Sequence, residues 1–404
     1  MDSSNLNIQQ AHLSRIKMLT YLMFFMFAMT SDAVGVIIPE LINAFDLSMT
    51  QASAFHYMPM IFIGLSGLFL GYLADKLGRK ETILLGLGGF SLAGFLFALG
   101  DEFYYFLALL ALIGTAIGVF KTGALALVGD ISKNASEHSS TMNTVEGFFG
   151  LGAMLGPAIV SYCLASGLSW KYLYLGAAVF CLFLCVVAFS SRYPDIKQAN
   201  DEPITLKGTM AMMRNPYALG YSLAIGLYVA TEVAIYVWMP SLFIDYDGPF
   251  VLFATYALAI FFTLRAGGRF LGGWVLRRFK WQQVMFSFSL AICACYLGAM
   301  MLGVEAAVIL LPLSGLFMSM MYPTLNSKGI SCFPVKQHGS VAGVILFFTA
   351  LSAAIAPLFM GMISDLFGDV KYGFYLATFF ALLLCLMSLF NLIKDPSAHL
   401  LEAH

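Results

Sequence analysis

Long apolar stretches separated by short polar connections make up almost the whole chain. A helix needs about 20 apolar residues to cross the hydrocarbon core of a bilayer. Twelve stretches meet this requirement, at residues 17–39, 51–74, 81–100, 103–128, 141–163, 170–190, 217–243, 249–276, 281–302, 306–327, 339–363 and 372–393. The longest polar interruption follows the sixth stretch. The pattern predicts an all-α membrane protein with twelve transmembrane helices in two six-helix halves.

The two predicted halves repeat the same features at an offset of about 200 residues. Asp32 in the first span is followed by Pro39, and Glu232 in the seventh is followed by Pro240. Parallel repeats of this kind build many transporters, with the solute bound near the midplane. The predicted domains are a first half at residues 1–190, a cytoplasmic linker at 191–216 and a second half at 217–404.

Composition and charge agree with a membrane location. The chain is 60% hydrophobic and only 11% charged, whereas a soluble domain carries roughly a quarter charged residues. A net charge of −1 argues against nucleic acid as a partner. Basic residues of the connections fall almost entirely on the side of the two termini, and only Lys171 and Lys371 fall opposite. The positive-inside rule therefore predicts cytoplasmic termini, in a cell inner membrane.

The chain carries no recognisable catalytic or cofactor motif. Its seven cysteines lie in or beside apolar spans without metal-type spacing, which is typical of small buried side chains. No nucleotide-binding loop, HExxH motif or nucleophile elbow occurs. We therefore expect no enzyme activity, no cofactor and no metal. A non-transporting receptor is also disfavoured, since the longest connection is only residues 191–216.

Five charged residues interrupt the apolar spans: Asp32, Lys121, Glu146, Glu232 and Arg265. A charge at the bilayer centre costs at least about 2.5–3.5 kcal/mol, so each is a functional candidate. The structural alternative is pairing that only holds helices together, such as Lys121 with Asp32 or Glu146. An unpaired buried carboxylate could instead carry a proton or bind sodium, and the sequence does not choose between these ions.

The seventh span carries a polar face around Glu232. Tyr228, Glu232 and Tyr236 recur every four residues and therefore share one side of a helix, with Trp238 beyond them. A carboxylate flanked by aromatic rings suits a sugar, because the carboxylate accepts hydroxyl hydrogen bonds and the rings cover C–H surfaces. The alternative is a packing face with a protonated glutamate. No cation near Glu232 is obvious in the sequence. Arg265 and Arg269 are expected to be gate or loop-anchoring residues, with solute ligands as the alternative.

Residues 71–80, GYLADKLGRK, join the second and third spans. This loop resembles the cytoplasmic signature loop of the major facilitator superfamily of transporters. The resemblance implies a latch that stabilises one conformation, formed by Gly71, Asp75, Gly78 and Arg79, with Arg269 as a further gating residue.

Several segments resemble the fucose–galactose–glucose:proton symporter branch of that superfamily. They are GRFLGG at 268–273, GLFMSMMYPT at 315–324, NTVEGFFGLGAMLGP at 143–157 and the pair Glu232 and Trp238. The resemblance implies an ion-coupled sugar importer. In the branch, acidic residues in helices 1 and 4 support coupling. Asp32 matches the first, whereas Lys121 reverses the charge of the second. Lys121 could permanently neutralise the charge of Asp32 and abolish proton coupling, or it could bind an anionic solute such as a sugar acid.

Together these features predict a secondary active transporter that imports a small polar solute, favouring a sugar, by symport with protons or sodium. The rivals are a proton-coupled exporter of drugs or metabolites and a transporter of anionic solutes. Monomeric action is expected from the resemblance. The predicted ion-coupling residues are Asp32, Lys121, Glu146 and Glu232. The predicted solute contacts are Asp32, Asn143, Tyr228, Glu232, Tyr236, Trp238, Tyr322 and Asn326.

Overall fold

The structure is a computed structural model that describes residues 3–70, 76–131, 135–191, 193, 212–334 and 338–403. Within these ranges every regular element is a helix, which confirms the predicted all-α class. Helical residues occur in each of the twelve predicted spans. By length and apolar character alone, nine helices among the described residues could cross a membrane. The protein is therefore a multi-pass membrane protein.

Eight helices lie before the predicted linker in the part of the chain that the structure describes. They are α1 (Ser3–Ser31), α2 (Val34–Phe45), α3 (Met49–Ala52), α4 (Ala54–Leu70), α5 (Arg79–Leu96), α6 (Phe103–Ile131), α7 (Ala135–Ala165) and α8 (Lys171–Ser190). The predicted first span is thus divided into α1 and α2.

From Pro216, the last residue of the predicted linker, onwards, the described residues form nine helices. They are α9 (Pro216–Leu242), α10 (Val251–Thr255), α11 (Ala257–Arg278), α12 (Trp281–Leu302), α13 (Val304–Met318), α14 (Met321–Ser331), α15 (His338–Phe367), α16 (Lys371–Lys394) and α17 (Ala398–Ala403). Asn215 caps α9, because its side chain accepts hydrogen bonds from the Tyr217 and Ala218 N–H groups and Pro216 takes the first helical position. The tenth predicted span is divided into α13 and α14.

The same helix pairs pack together before and after the linker. α1 packs on α7 as α9 packs on α15, and α5 packs on α8 as α12 packs on α16. Likewise, α4 and α5 pack on α6 as α11 and α12 pack on α13. The repeat in the sequence is therefore also a repeat in packing.

Glycines allow the close approach of α7 to α1. A side-chain atom at Gly152 would collide with the carbonyl oxygen of Phe25, and one at Gly156 would collide with that of Met29. Without a Cβ, the two backbones can touch. These glycines therefore act in helix packing.

The chain forms two compact units. The first comprises Met1–Ile37 with Ala54–Ala199, and the second comprises Ile38–Ser53 with Asn200–His404. The division differs from the predicted halves in one respect, because Ile38–Ser53 belongs with the second unit. Most of the predicted linker, residues 194–211, lies outside the described residues. The linker therefore stays a prediction.

Candidate functional site

Asp32 lies at a break in the first predicted span. α1 ends at Ser31 and α2 begins at Val34. The Asp32 N–H closes the last turn of α1 on the Ala28 carbonyl at 3.0 Å, and the Ser31 hydroxyl donates to Asp32 Oδ1 at 3.0 Å. Asp32 is half-buried. A break in a membrane helix brings backbone groups to a site where ions and solutes can bind.

Lys121 on α6 lies close to both carboxylates of the first unit. Its ammonium is 4.7 Å from the ring centre of Phe27 and 5.8 Å from that of Phe24. At these distances the faces of aromatic rings attract a cation. Asp32 and Glu146 both attract this ammonium electrostatically. The structure therefore brings three predicted ion-coupling residues, from α1–α2, α6 and α7, into one neighbourhood.

Glu232 on α9 is buried, with only 6% of its surface exposed. Arg265 Nη2 on α11 lies 2.9 Å from Glu232 Oε1. The Tyr228 hydroxyl donates to the same oxygen at 2.7 Å and also lies 3.2 Å from the Met318 carbonyl, at the end of α13. Arg265 is the cation that inspection of the sequence did not assign to Glu232. The available signal was a lone arginine in an apolar helix, which requires a partner in the membrane.

Two further predicted solute contacts lie on α14. Tyr322 and Asn326 are both half-buried there. The Tyr322 ring centre is 6.4 Å from that of Tyr228. Tyr228, Glu232, Arg265 and Tyr322 therefore form one cluster, called here the Glu232 cluster.

Tyr236 and Trp238, the other two aromatic residues of α9 that were predicted as solute contacts, pack within the second unit. The Tyr236 ring stacks on Phe262 at 6.3 Å between centres. Trp238 is 1% exposed, and its Nε1–H donates to the Pro357 carbonyl on α15 at 3.1 Å. Trp238 thus joins α9 to α15. A solute contact at Trp238 stays a prediction.

The predicted gating residues are only partly described. Gly71 and Asp75 lie outside the described residues, as does the side chain of Asn143. Gly78 has a φ of +99°, in the region that favours glycine, and Arg79 begins α5. Arg269 is half-buried one turn after Arg265 and interacts electrostatically with Tyr228. Gating by these residues therefore stays a prediction.

Among the described residues, no group of three or more His, Cys, Asp or Glu side chains could hold a metal ion. The Glu232 cluster and the group of Asp32, Lys121 and Glu146 offer hydrogen bonding and charge compensation inside the membrane.

The helices and the buried charges define a membrane transport protein. Residues 20–357 match the family model of the Major Facilitator Superfamily. The chain therefore belongs to the Major Facilitator Superfamily, a family of transporters and not of enzymes.

Individual known proteins are similar over nearly the whole chain. A "putative glucose/galactose transporter" of Helicobacter pylori is 24% identical over 365 residues, covering 85% of this chain and 88% of the relative. The "L-fucose-proton symporter" of Escherichia coli is 23% identical over 403 residues, covering 86% of each. A solved inward-facing, occupied bacterial homolog of the human lysosomal transporter Spinster superposes with a TM-score of 0.77 at 14% identity, covering 94% of this chain and 96% of that one. This last likeness concerns the fold alone.

Proposed function

We propose that the protein is a secondary active transporter that imports a small polar solute, a sugar in the first instance, by symport with protons or sodium. The observation that carries the proposal is the Glu232 cluster, a buried carboxylate held by Tyr228 and Arg265 beside the Tyr322 ring. The names of the glucose/galactose and fucose relatives support the same solute class.

The Glu232 cluster has the chemistry that a sugar requires. Both described contacts of the Glu232 carboxylate use Oε1, so Oε2 keeps its lone pairs for hydroxyl donors of a solute. The faces of Tyr322 and Tyr236 offer apolar surface to the C–H groups of a sugar ring. Further proposed solute contacts are Asp32, Asn143, Tyr228, Trp238 and Asn326.

The coupling ion is proposed to act on the carboxylates near Lys121. Asp32 and Glu146 both attract the Lys121 ammonium, and an arriving proton or sodium ion would compete with Lys121 for the same two carboxylates. Glu232 is a further proposed coupling residue. Alternating access by a rocker switch, gated by Gly71, Asp75, Gly78, Arg79 and Arg269, completes the proposed cycle.

The proposed setting is a cell inner membrane with both termini on the cytoplasmic side, where the protein acts as a monomer. The proposed partners are the solute, the coupling ion and the lipid bilayer. The basic residues near the two termini and in the connections on that side support the orientation.

Uptake of labelled hexoses into proteoliposomes tests the proposal. A proton gradient and a sodium gradient are applied separately to the parent protein, to Glu232→Gln and to Glu305→Gln, whose exposed side chain begins α13. We expect accumulation with one gradient only, lost in Glu232→Gln and kept in Glu305→Gln. Folded parent protein that moves no hexose under either gradient would contradict the sugar proposal.

The second candidate function is transport of an anionic organic solute. It is favoured by Lys121, a cation within the membrane region whose ammonium lies over two aromatic rings and would pair with an anionic group. Uptake of labelled sugar acids that Lys121→Gln abolishes, in protein that ignores neutral hexoses, would favour this candidate. Efflux of apolar compounds from loaded vesicles would instead favour the exporter.

A further inference from the structure

A buried ion pair joins α9 to α11 at the proposed solute site. Arg265 and Tyr228 both donate to Glu232 Oε1, at 2.9 and 2.7 Å. Two donors on one oxygen restrict rotation of the carboxylate, because turning it would stretch the contact to Arg265 or the contact to Tyr228. The direction in which Oε2 points is then determined by Arg265 and Tyr228.

The same arrangement reaches a helix break. The Tyr228 hydroxyl lies 3.2 Å from the Met318 carbonyl, where α13 ends, and α14 begins at Met321. The orientation of Glu232 is therefore tied to α11 through Arg265 and to the α13–α14 break through Tyr228. A change at Arg265 would disturb the carboxylate without removing it.

We propose that Arg265 is a positioning residue, which aims the Glu232 carboxylate at the solute and sets solute affinity without binding the solute itself. This inference rests on the proposed function. Its consequence is that Arg265 acts only through Glu232. Once Glu232 has been replaced by glutamine, further loss of Arg265 has nothing left to misalign.

The test is hexose uptake kinetics for Arg265→Gln, Arg265→Lys, Glu232→Gln and the double variant Arg265→Gln/Glu232→Gln. Arg277→Gln, an exposed arginine at the end of the same helix, is the matched control. We expect Arg265→Gln to raise KM about tenfold with little change in maximal rate per folded protein, and Arg265→Lys to recover part of the affinity. Because Glu232→Gln is expected to lose accumulation, the double variant is compared with it by the Kd for labelled hexose of the purified protein, and it should bind no worse than Glu232→Gln alone.

Two outcomes would overturn the inference. One is a parental KM in Arg265→Gln, and the other is a double variant markedly worse than Glu232→Gln, which would show that Arg265 contacts the solute directly. A fall in maximal rate alone, without a change in KM, would reduce Arg265 to a structural role. A parent protein that transports no hexose contradicts the proposed function itself, so the two failures are distinguishable.

A second observation, independent of the solute, concerns residues 38–53, called here the strap. Asp365, near the end of α15, accepts the Met49 N–H at 2.7 Å, the Thr50 N–H at 2.8 Å and the Thr50 hydroxyl. One turn earlier, Gly361 lets the strap approach, since an added Cβ would lie 3.0 Å from the Met49 carbonyl oxygen. The first turn of α3 is thereby fastened to α15.

The strap belongs to the second unit, although the residues on either side belong to the first. Helix breaks lie close to both ends, at Ser31–Val34 and at Ser53 between α3 and α4. A segment flanked by two breaks can move as a separate piece. We infer that Asp365 is a releasable fastener and that the strap leaves α15 during the transport cycle.

A buried cysteine in the strap reports its release. Ala52 is fully buried, so Ala52→Cys in a background without native cysteines should react slowly with a maleimide in the purified protein. We expect Asp365→Asn to raise the labelling rate about tenfold, and Asp369→Asn, four residues further on, to leave it unchanged. Transported solute should also change the rate. Equal rates in all three proteins, or a rate insensitive to solute, would overturn the inference.

Discussion

Asp32 and Glu232 occupy corresponding positions in the two halves and yet lie in different surroundings. Asp32 sits half-buried at the break between α1 and α2, where its described hydrogen bond comes from the Ser31 hydroxyl. Glu232 is buried inside the continuous helix α9 and accepts from both Tyr228 and Arg265. Asp32 is thus partly exposed at a helix break, and Glu232 is buried within a helix. We propose that the two equivalent positions serve different steps of transport, the first with the ion and the second with the solute.

The cations near these two carboxylates, Lys121 and Arg265, differ as well. Lys121 is a point charge on a flexible stem, resting over two aromatic rings near Asp32 and Glu146. Arg265 is a planar fork bound to one carboxylate at 2.9 Å. We propose that the lysine shifts between the carboxylates as an ion arrives, whereas the arginine pair keeps one orientation. In this proposal the coupling ion exchanges in the first unit and the solute is oriented in the second.

The largest expected effect follows from removing the Asp32 carboxylate, which is proposed to bind the coupling ion. One coupled charge driven by 100 mV supplies about 2.3 kcal/mol, enough for about fiftyfold accumulation. Asp32→Asn should abolish this accumulation in proteoliposomes and still allow exchange of labelled for unlabelled solute. Asp245→Asn, an exposed residue after α9, should behave like the parent. Undiminished accumulation in Asp32→Asn would remove Asp32 from the coupling role.

A packing difference between the halves gives the next effect. Gly156 touches the Met29 backbone, whereas Ala356 occupies the corresponding position of α15. Gly156→Ala should destabilise the protein by about 1–3 kcal/mol through overpacking, measured as a lower Tm or denaturation midpoint. Gly147→Ala, where an added Cβ meets nothing within 4 Å, is the control. Equal stability of the two variants would contradict the predicted tight contact between α1 and α7.

The difference between the two cations can be tested at Lys121. Lys121→Gln removes the internal charge that competes with the coupling ion for Asp32 and Glu146. The ion concentration that gives half-maximal uptake should therefore fall, by about tenfold if one ion-pair interaction of about 1.4 kcal/mol is lost. Titration of uptake against the coupling ion measures this value. A higher ion requirement would show that Lys121 assists ion binding.

The smallest expected effect on transport concerns Trp238. Trp238→Phe removes the hydrogen bond from the indole N–H to the Pro357 carbonyl and leaves part of the volume of the buried indole unfilled. The expected cost is about 2 kcal/mol of stability, seen as a lower Tm. Uptake kinetics should be unchanged if the tryptophan only joins α9 to α15. A raised KM would instead restore Trp238 as a solute contact.

Part of the candidate site was accessible from sequence patterns. The spacing of Tyr228, Glu232 and Tyr236 predicted that they share one face of a helix, and the isolated charges Asp32, Lys121 and Glu146 predicted the group around Lys121 in the first unit. The partner of Glu232 was missed, because Arg265 lies on a different helix and no local pattern connects the two. The Tyr236 ring stacks on Phe262, and its contact with a solute stays a prediction.

The sequence by itself determined the membrane location, the helical class, the repeat and the superfamily. These features depend on the length of the apolar stretches and on local motifs. An apolar stretch in a bilayer forms a helix because its backbone polar groups must be hydrogen-bonded within the segment. Only the tertiary structure decided that Arg265 pairs with Glu232, that the first span breaks at Asp32 and that the strap docks on Asp365. Those features depend on which distant helices become neighbours, and packing between helices sets that choice.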